Sequence, residues 1–275
     1  MKDIPLPAVT RLAEGAVPAG PRPGDTYVQS FARGLGVIRS FSAQAPSQSL
    51  SEVASRTGLT RAGARRILLT LEGLGYVESQ GRQFRLTPKI LDLGFAYLSS
   101  LPLWDLAEPV MEALVAQVKE SSSAAVLDGG DIVYVLRVPT HKIMSISLGI
   151  GSRLPAYCTS MGRVLLAGLP DHELHALLAA PTLPALTART VTDRTELFGV
   201  VRQVRRQGWS LVNQELEEGL VSLAAPITDR SGRTIAAMNL SGQANRTPPE
   251  VMVERFLPRL LEAAGSISRM LRMKS

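Results

Sequence analysis

Three arginines with helical spacing are the residues of this sequence with the clearest chemical purpose. Arg61, Arg65 and Arg66 lie in the segment TRAGARRILLTLEGL, which begins at residue 60. A guanidinium group can pair with a guanine base or contact a phosphate. Because a helix turns about 100° per residue, one side of this segment carries small and basic groups. The candidate contact residues on it are Thr60, Arg61, Ala62, Arg65, Arg66 and Thr70. Such a face suits the major groove of DNA.

Apolar residues on the opposite side predict which face of this helix is buried. We expect the buried face to consist of Ala64, Ile67, Leu71 and Leu74, which are spaced 3, 4 and 3 apart. Thr60 is placed to cap the helix. A preceding helix is predicted to begin after a cap at Ser51, to bury Val53 and Ala54, and to end at Gly58 in the left-handed conformation. The two segments together predict a helix-turn-helix.

Flanking segments complete a winged helix-turn-helix. The pattern Phe31, Leu35, Ile38, Phe41 predicts a first helix over 30–41. Two short strands, at residues 76–77 and 84–86, are expected to pair around a turn at Gly81. At the tip of this wing, Arg82 and Gln83 are candidates for contact with phosphate or the minor groove. Pro88 then begins a predicted linker helix over 89–100, a candidate contact with a second subunit.

The charge distribution supports a polyanionic partner for this part of the chain. Residues 27–100 hold nine basic and four acidic groups, a net charge of 9 − 4 = +5, whereas the whole chain carries +6. The single cysteine, Cys158, excludes an intrachain disulfide and is typical of the reducing cytoplasm. No apolar run approaches the roughly 20 residues of a membrane span, and the N-terminus does not resemble a secretory signal. We therefore expect a cytoplasmic protein.

The remainder of the chain mixes helical and strand patterns without strict alternation. Predicted helices are 103–118, 160–167, 171–178, 193–207 and 249–273, and predicted strands lie near 124–127, 132–138, 144–148, 209–213, 222–228 and 234–240. Neighbouring strands that pair with one another and are flanked by helices predict an α+β sensor of the GAF or PAS kind. The expected organisation is a mobile tail (1–26), a DNA-binding domain (27–86), a linker helix (87–101) and an effector-binding and oligomerisation domain (102–275).

The order of these parts resembles the IclR family of bacterial transcription regulators over about residues 27–272. The resemblance is carried by the helix-turn-helix, LPAYCTSMGRVLLA (154–167), GWSLVNQELEEGLVSLAAPI (208–227) and AAMNLSG (236–242). The run at 137–163 is more narrowly similar to regulators of protocatechuate, 4-hydroxybenzoate and β-ketoadipate catabolism. This resemblance implies a homo-oligomer, either a dimer or a tetramer. It also implies that the protein binds promoter DNA and an aromatic or short carboxylic acid. Many such proteins activate transcription, which makes RNA polymerase a further candidate partner, and others repress it.

The resemblance also implies an effector pocket. Transferred position by position, its lining comprises Met144, Ile146, Ser160, Met161, Val212, Asn213, Ser222, Asn239 and Ser241. This sequence departs from the branch of the family that binds very small acids, where the positions of Val212, Ser222 and Asn239 tend to hold an acid, a cysteine and a serine. Met161 is also larger than is usual there. The pocket should therefore differ in shape, which disfavours glyoxylate or pyruvate as the effector.

The residues themselves fit a carboxylate ligand. Backbone N–H groups at the helix start 158–162 can bind an anion, and methionine and isoleucine can contact an aromatic ring. Arg137 is a further candidate to neutralise an acid, although a strand arginine is more often a surface residue. The alternative for Asn239 and Ser241 is that they are simply one polar face of a strand.

Catalysis is not expected. The three histidines, His141, His172 and His175, have no zinc-binding spacing, so no metal or cofactor is predicted. The acidic run at 215–218 is interpreted as a solvated loop. Cys158 is the one candidate nucleophile, and a GAF-fold enzyme that uses it remains an alternative. The sequence thus favours a regulator that responds to an aromatic acid, the other alternative being a repressor that responds to a different, hydrophobic ligand.

Overall fold

The computed structural model describes residues 27–99, 103–140, 148–179 and 183–273. The chain forms two compact units, one ending at Tyr97 and the other beginning at Leu98. The predicted tail (1–26), most of the predicted strand 144–148, and the residues His141, Met144 and Ile146 lie outside the described residues.

The N-terminal unit is a winged helix-turn-helix. Its elements are α1 (Gln29–Arg39), β1 (Ser47–Ser49), α2 (Leu50–Thr57), α3 (Arg61–Gly73), β2 (Val77–Gln80) and β3 (Gln83–Leu86). The strands form an antiparallel sheet in the order β1-β3-β2. Val37, Val53, Leu68 and Val77 are buried together in its core, which joins the three helices to the wing. Because β1 has only three residues, it shows no alternation that a sequence pattern could reveal.

The turn between α2 and α3 forms as predicted. Gly58 ends α2 with φ +66°, a left-handed conformation that disfavours residues with a side chain. The Thr60 hydroxyl caps α3 by accepting a hydrogen bond from the Gly63 amide at 3.1 Å. The start of α2 differs from the prediction, because Ser49 rather than Ser51 is its cap. Ser49 and Glu52 form a reciprocal capping box, in which the Ser49 amide donates to the Glu52 carboxylate at 2.7 Å.

Two predicted apolar faces are corrected by the structure. In α3 the buried residues are Ala64, Leu68 and Leu71, whereas Leu74 is 54% exposed because the helix ends at Gly73 and Leu74 lies beyond its last turn. Ile67 is only half-buried. In α1, Phe31 is 67% exposed and Leu35 is also exposed, since that helix buries Val37 instead. The apolar spacing therefore located the helices but misplaced part of their inner faces.

The helix that follows the wing begins later than predicted. Pro88–Ile90 forms a single 3₁₀ turn, and α4 (Leu91–Ser99) continues from it. Several of its large apolar side chains, among them Leu91 and Leu93, are exposed. An apolar surface of this kind on a helix is typical of a contact with another element or subunit.

The C-terminal unit is built on one six-stranded antiparallel sheet. Its helices are α5 (Leu103–Val118), α6 (Ser160–Ala167), α7 (Asp171–Leu178), α8 (Arg194–Gln207), α9 (Pro249–Val251) and α10 (Leu257–Met273). Its strands are β4 (Ser121–Asp128), β5 (Asp131–Val138), β6 (Arg153–Pro155), β7 (Ser210–Asn213), β8 (Leu220–Thr228) and β9 (Thr234–Gln243), in the order β6-β5-β4-β9-β8-β7. A π-helical turn, Met252–Phe256, joins α9 to α10. The α+β class is thus confirmed.

Alternate residues of the central strands supply two separate cores. Ala225 and Met238 pack on the face that α5 and α10 cover. Their neighbours Ala224 and Ala237 pack on the opposite face, with α6, α7 and α8. Because successive side chains of a strand point to opposite faces, a sheet covered on both sides is apolar in nearly every position. The polar positions on these strands therefore stand out as candidates for a site.

Candidate functional site

The predicted DNA-contacting residues of α3 all lie on its exposed side. Thr60, Arg61, Ala62, Arg65, Arg66 and Thr70 are exposed. Within the described part of the chain, no carboxylate or carbonyl accepts a hydrogen bond from the guanidinium groups of Arg61, Arg65 and Arg66. The Thr70 hydroxyl, by contrast, donates to the Arg66 carbonyl of its own helix at 2.8 Å. The three arginines thus form a basic surface that is available to a polyanion.

The wing presents a second exposed polar group. Gly81 has φ +65° in the turn between β2 and β3, and Arg82 and Gln83 beside it are exposed. Gln83 accepts a hydrogen bond from the Ser47 hydroxyl at 3.4 Å, across the β1–β3 pair. Arg85, which precedes Leu86 at the end of the wing, is instead paired with Glu78 on the adjacent strand. Of the two wing arginines, Arg82 is therefore the one at the tip.

The C-terminal unit contains a small cavity of about 30 Å³ between α6 and the sheet, so a ligand larger than water has to widen it. Its lining consists of Tyr134, Leu148, Cys158, Thr159, Ser160, Met161, Val212, Leu216, Leu220, Ser222, Asn239 and Ser241. Six of these are predicted effector-binding residues, brought together from α6 and three strands. The cavity lies on the sheet face that α6 covers.

A hydrogen-bond network forms the polar part of this wall. The Ser160 and Ser222 hydroxyl oxygens lie 2.6 Å apart. The Asn239 amide donates to the hydroxyls of Ser222 at 3.1 Å and Ser241 at 2.9 Å, and its carbonyl oxygen accepts from the Ser123 amide at 2.9 Å. The network fixes the rotamer of a buried asparagine at the centre of the sheet. Asn239 and Ser241 lie on one face of β9, as the alternative states, and they bond to residues of the neighbouring strands β4 and β8.

The start of α6 packs closely against the loop before it. Thr159 caps the helix by accepting from the Gly162 amide at 3.2 Å. A Cβ atom on Gly162 would meet the Ala156 carbonyl oxygen at 2.1 Å, so only glycine allows this approach. The first-turn amides of α6, at Ser160 and Met161, have no carbonyl one turn earlier in the helix to bond. Both residues are among those that line the cavity, and free amides at a helix start suit an anion.

A buried ion pair supports this wall and overturns one prediction. Arg163 is 3% exposed and donates from both terminal nitrogens to the Glu215 carboxylate, at 2.7 and 2.6 Å. Glu215 also accepts from the Val191 amide at 3.1 Å, and Arg163 donates to the Tyr157 carbonyl. The prediction of a solvated acidic loop is therefore wrong for Glu215, because the loop turns this side chain inward to its partner.

Four predicted effector residues are not part of the described lining. Met144 and Ile146 lie outside the described residues. Asn213 follows Val212 on β7, is half-buried, and accepts from the Gln214 side chain at 3.3 Å. Arg137 is half-buried and donates to the Leu148 carbonyl at 2.9 Å, so its guanidinium holds the backbone at one edge of the cavity.

Sequence reasoning missed several lining residues. They are Tyr134 on β5, Leu148, Leu216 and Leu220. In the sequence, Tyr134 is one of several apolar residues of the predicted strand 132–138, and nothing in that pattern distinguishes it. Cys158 and Thr159, which also line the cavity, belong to the helix start 158–162 that was predicted to bind an anion.

The surroundings of Cys158 do not favour nucleophilic chemistry. Cys158 is buried, and burial raises the pKa of its thiol to about 12. The thiol therefore keeps its proton at neutral pH, whereas a nucleophile needs the thiolate. The described residues contain no cluster of three or more His, Cys, Asp or Glu side chains that could hold a metal ion. Across the same described ranges, no helix has both the length and the apolar character to cross a membrane.

Comparison with known protein families covers both units. Residues 30–81 match the IclR helix-turn-helix domain, and residues 95–269 match the bacterial transcriptional regulator IclR C-terminal domain. The chain is 44% identical over 246 residues to the Pca regulon regulatory protein of Pseudomonas putida, covering 89% of this chain and 84% of that protein. It is 34% identical over 248 residues to the p-hydroxybenzoate hydroxylase transcriptional activator of Acinetobacter baylyi, covering 88% and 92%.

Solved structures of transcriptional regulators are also similar to this chain. A candidate transcriptional regulator from Rhodococcus sp. RHA1 has 52% identity and a TM-score of 0.81, covering 89% of this chain and 98% of that one. An IclR homologue from Microbacterium hydrocarbonoxydans, solved in complex with 4-hydroxybenzoate, has 26% identity and a TM-score of 0.78, covering 89% and 99%.

Proposed function

Because this chain belongs to the IclR family of bacterial transcriptional regulators, we propose that it controls genes of aromatic-acid catabolism in response to a small aromatic acid. The observation that carries the proposal is the cavity, where the first residues of α6, side-chain hydroxyls and apolar side chains meet in one wall. The Pca and p-hydroxybenzoate regulators to which the chain is similar give the pathway class. The match to a transcriptional regulator family supports a regulatory rather than an enzymatic role.

The effector carboxylate is expected at the start of α6. Helix-terminal amides and neighbouring hydroxyls bind an anion without adding a buried positive charge. Met161 and Val212 provide apolar contact for the ring. The buried Arg163 does not take this role, because Glu215 already occupies both of its terminal nitrogens. The polar network favours an acid over the alternative of a purely hydrophobic ligand.

Promoter DNA is the proposed partner of α3 and the wing. Arg61, Arg65 and Arg66 face the major groove, with Thr60, Ala62 and Thr70 beside them, while Arg82 and Gln83 approach the backbone or minor groove. A homo-oligomer would read an inverted repeat with half-sites one or more helical turns apart. The protein would act in the cytoplasm, where the promoter is, and RNA polymerase is a candidate partner for activation.

We further propose that α4 transmits the signal within a linker over residues 87–101. An effector can shift promoter binding only if it binds one arrangement of the subunits better than another. The exposed apolar side chains of α4, including Leu91 and Leu93, are suited to such an interface.

The test uses the purified full chain in two assays. Thermal unfolding is followed with benzoate, 4-hydroxybenzoate, protocatechuate and β-ketoadipate, where a bound effector raises the midpoint by mass action. Fluorescence anisotropy then measures binding to the chain's own upstream DNA at several salt concentrations, with a shuffled fragment as control. We expect at least one acid to raise the midpoint and to change promoter binding. Salt-independent binding, or no response to any of the acids, would contradict the proposal.

A further inference from the structure

The two edge strands of the six-stranded sheet, β6 and β7, differ in how well they are protected. An edge strand presents backbone N–H and C=O groups with which another polypeptide can pair, and proteins usually block such edges with charged residues, proline or bulges. β6 follows this rule, because Arg153 and Pro155 are two of its three residues.

The hydrogen-bond register shows which backbone groups of β6 face outward. The Tyr134 amide donates to the Ser152 carbonyl at 3.0 Å, and an antiparallel ladder repeats this pattern at every second residue. Arg153 and Pro155 therefore direct their backbone groups away from β5. Pro155 has no N–H group, and its carbonyl already accepts from the Thr159 hydroxyl at 3.0 Å. Little of this edge is left for another strand.

The same reasoning leaves the edge at β7 open. The Gln214 amide donates to the Leu220 carbonyl at 2.7 Å, which fixes the phase of the β7–β8 ladder. Leu211 and Asn213 therefore direct their N–H and C=O groups away from β8. Within the described ranges these groups have no hydrogen-bond partner. β7 contains neither a charged residue nor a proline, and no bulge interrupts its register.

A groove of about 420 Å³ lies beside this open edge, between β7 and α8. None of the residues that line it carries a charge, and they include Val200 and Val204 of α8 and Leu211 of β7. Ser210 also lines the groove, and its buried hydroxyl has no hydrogen-bond partner in the part of the chain that the structure describes. A buried polar group without a partner is uncommon. The groove thus adds apolar surface and an unused hydroxyl to the open backbone.

A second copy of β7 matches this edge in one register. When a two-fold axis passes beside Val212, Leu211 of each copy lies opposite Asn213 of the other. Two residues of a hydrogen-bonded antiparallel pair exchange both of their N–H···O=C bonds. The two pairs then use every open backbone group of Leu211 and Asn213 in both copies. Because the groove lining is uncharged, no like charges meet when identical surfaces come together.

We propose that β7 is an interface between two copies of this chain, in which the two strands pair antiparallel about Val212. The two sheets then form one continuous sheet. The proposed function does not assign this surface, and the pairing requires neither DNA nor an effector.

Hydrogen exchange of the purified full chain tests the inference on the unchanged protein. The amides of Ser210 and Val212 bond to β8 and should be protected at every protein concentration. Those of Leu211 and Asn213 should be protected at high concentration and lose this protection on dilution. Unprotected amides at Leu211 and Asn213 at high concentration would overturn the inference.

Disulfide cross-linking tests the register. The variant with both Leu211→Cys and Asn213→Cys is oxidised and compared with each single variant, while Cys158 is buried and stays unchanged. Opposite residues of a hydrogen-bonded pair have Cα atoms about 5.5 Å apart, which a disulfide can span. The same residue in two copies would have Cα atoms about 8–9 Å apart, which is too far. We expect cross-linked dimers from the double variant and not from either single variant.

The matched control combines Leu211→Cys with Arg153→Cys. It also carries two new cysteines, but the second lies on β6, the exposed opposite edge, so it should not cross-link. Cross-linking of the control to the same extent would show random collision and overturn the inference. Protected amides without a cross-link in the double variant would show that something else occupies the edge, and would overturn it too. Neither assay involves DNA or an effector, so failure here would leave the proposed function standing.

Discussion

The arginines of α3 and the arginine of α6 have the same side chain in opposite surroundings. Arg65 and Arg66 are exposed on α3, with no hydrogen-bonded partner among the described residues. Arg163 is buried and is bound at both terminal nitrogens by Glu215. An exposed guanidinium keeps its donors for an external anion, whereas a buried one must be neutralised within the fold. The exposed arginines of α3 are therefore available to an anion, whereas the buried arginine of α6 stabilises the cavity wall.

The largest expected effect is on stability, at the buried pair. Glu215→Ala leaves the Arg163 charge buried without its partner, which should lower the free energy of unfolding of the C-terminal unit by about 3–5 kcal/mol. The measurement is the midpoint of urea unfolding. Asp171→Ala is the control, because Asp171 pairs with Arg205 at the surface and should matter far less. Similar small losses in both variants would remove the contrast between the two arginine environments.

The next effect is on DNA binding. Arg65→Ala should weaken binding to the promoter fragment by about 1–3 kcal/mol, because a paired contact to a base is lost. Stability and effector affinity should remain as in the wild type. Arg206→Ala removes the same charge from the exposed side of α8 and serves as the control for net charge. Equal loss of promoter binding in both variants would mean that overall charge, and not the α3 face, carries the affinity.

A smaller effect is expected at the cavity. Ser160→Ala together with Ser241→Ala removes two cavity-lining hydroxyls from the network around Ser222 and Asn239. At about 0.5–1.5 kcal/mol per hydrogen bond, effector affinity measured by isothermal titration should fall by roughly tenfold. Promoter binding without effector should not change. A loss of promoter binding of the same size would deny the division of roles between the two units.

The smallest effect concerns the cap of α2. Ser49 holds the pKa of the Glu52 carboxyl below its ordinary value of 4.5, first through its hydroxyl and then through its amide. A lowered folded-state pKa gives stability that is present above the unfolded pKa and is lost as the pH falls through the folded one. Glu52→Gln should therefore destabilise the N-terminal unit slightly at pH 7 but not at pH 3.

Urea midpoints at the two pH values test this prediction. Glu218→Gln, an exposed acid in the other unit, is the control and should change neither midpoint. A loss in Glu52→Gln that is equal at pH 3 and pH 7 would show that the capping carboxylate contributes nothing through its charge.

The exposed half of the candidate site could be predicted from the sequence because helical periodicity is local. Thr60 and Gly58 fix where α3 begins, and the positions of Arg61, Arg65 and Arg66 on its outer side follow from that start. The same rule failed at Leu74, where the helix had already ended, and at Phe31, where α1 buries a different residue. The spacing of apolar residues indicates which of them share a helix face. It does not indicate where a neighbouring element stops covering that face.

The buried half was predicted through resemblance, and only in part. Ser160, Ser222 and Asn239 meet in one wall as expected, but the contribution of Tyr134 was not visible from its strand pattern. Glu215 shows why. A run of acids is usually solvated, and nothing within the run indicates that one of its members is neutralised by an arginine 52 residues away.

The sequence by itself determined the helix-turn-helix, its basic face and the class of each unit, because these depend on residues within a few turns of one another. Only the tertiary structure decided which polar groups are used up and which remain free. Ser160 meets Ser222 across 62 residues, and Arg163 meets Glu215 across 52. A buried hydrogen-bonding group is satisfied by whatever the fold brings beside it, so its availability to a ligand is a property of the packed chain.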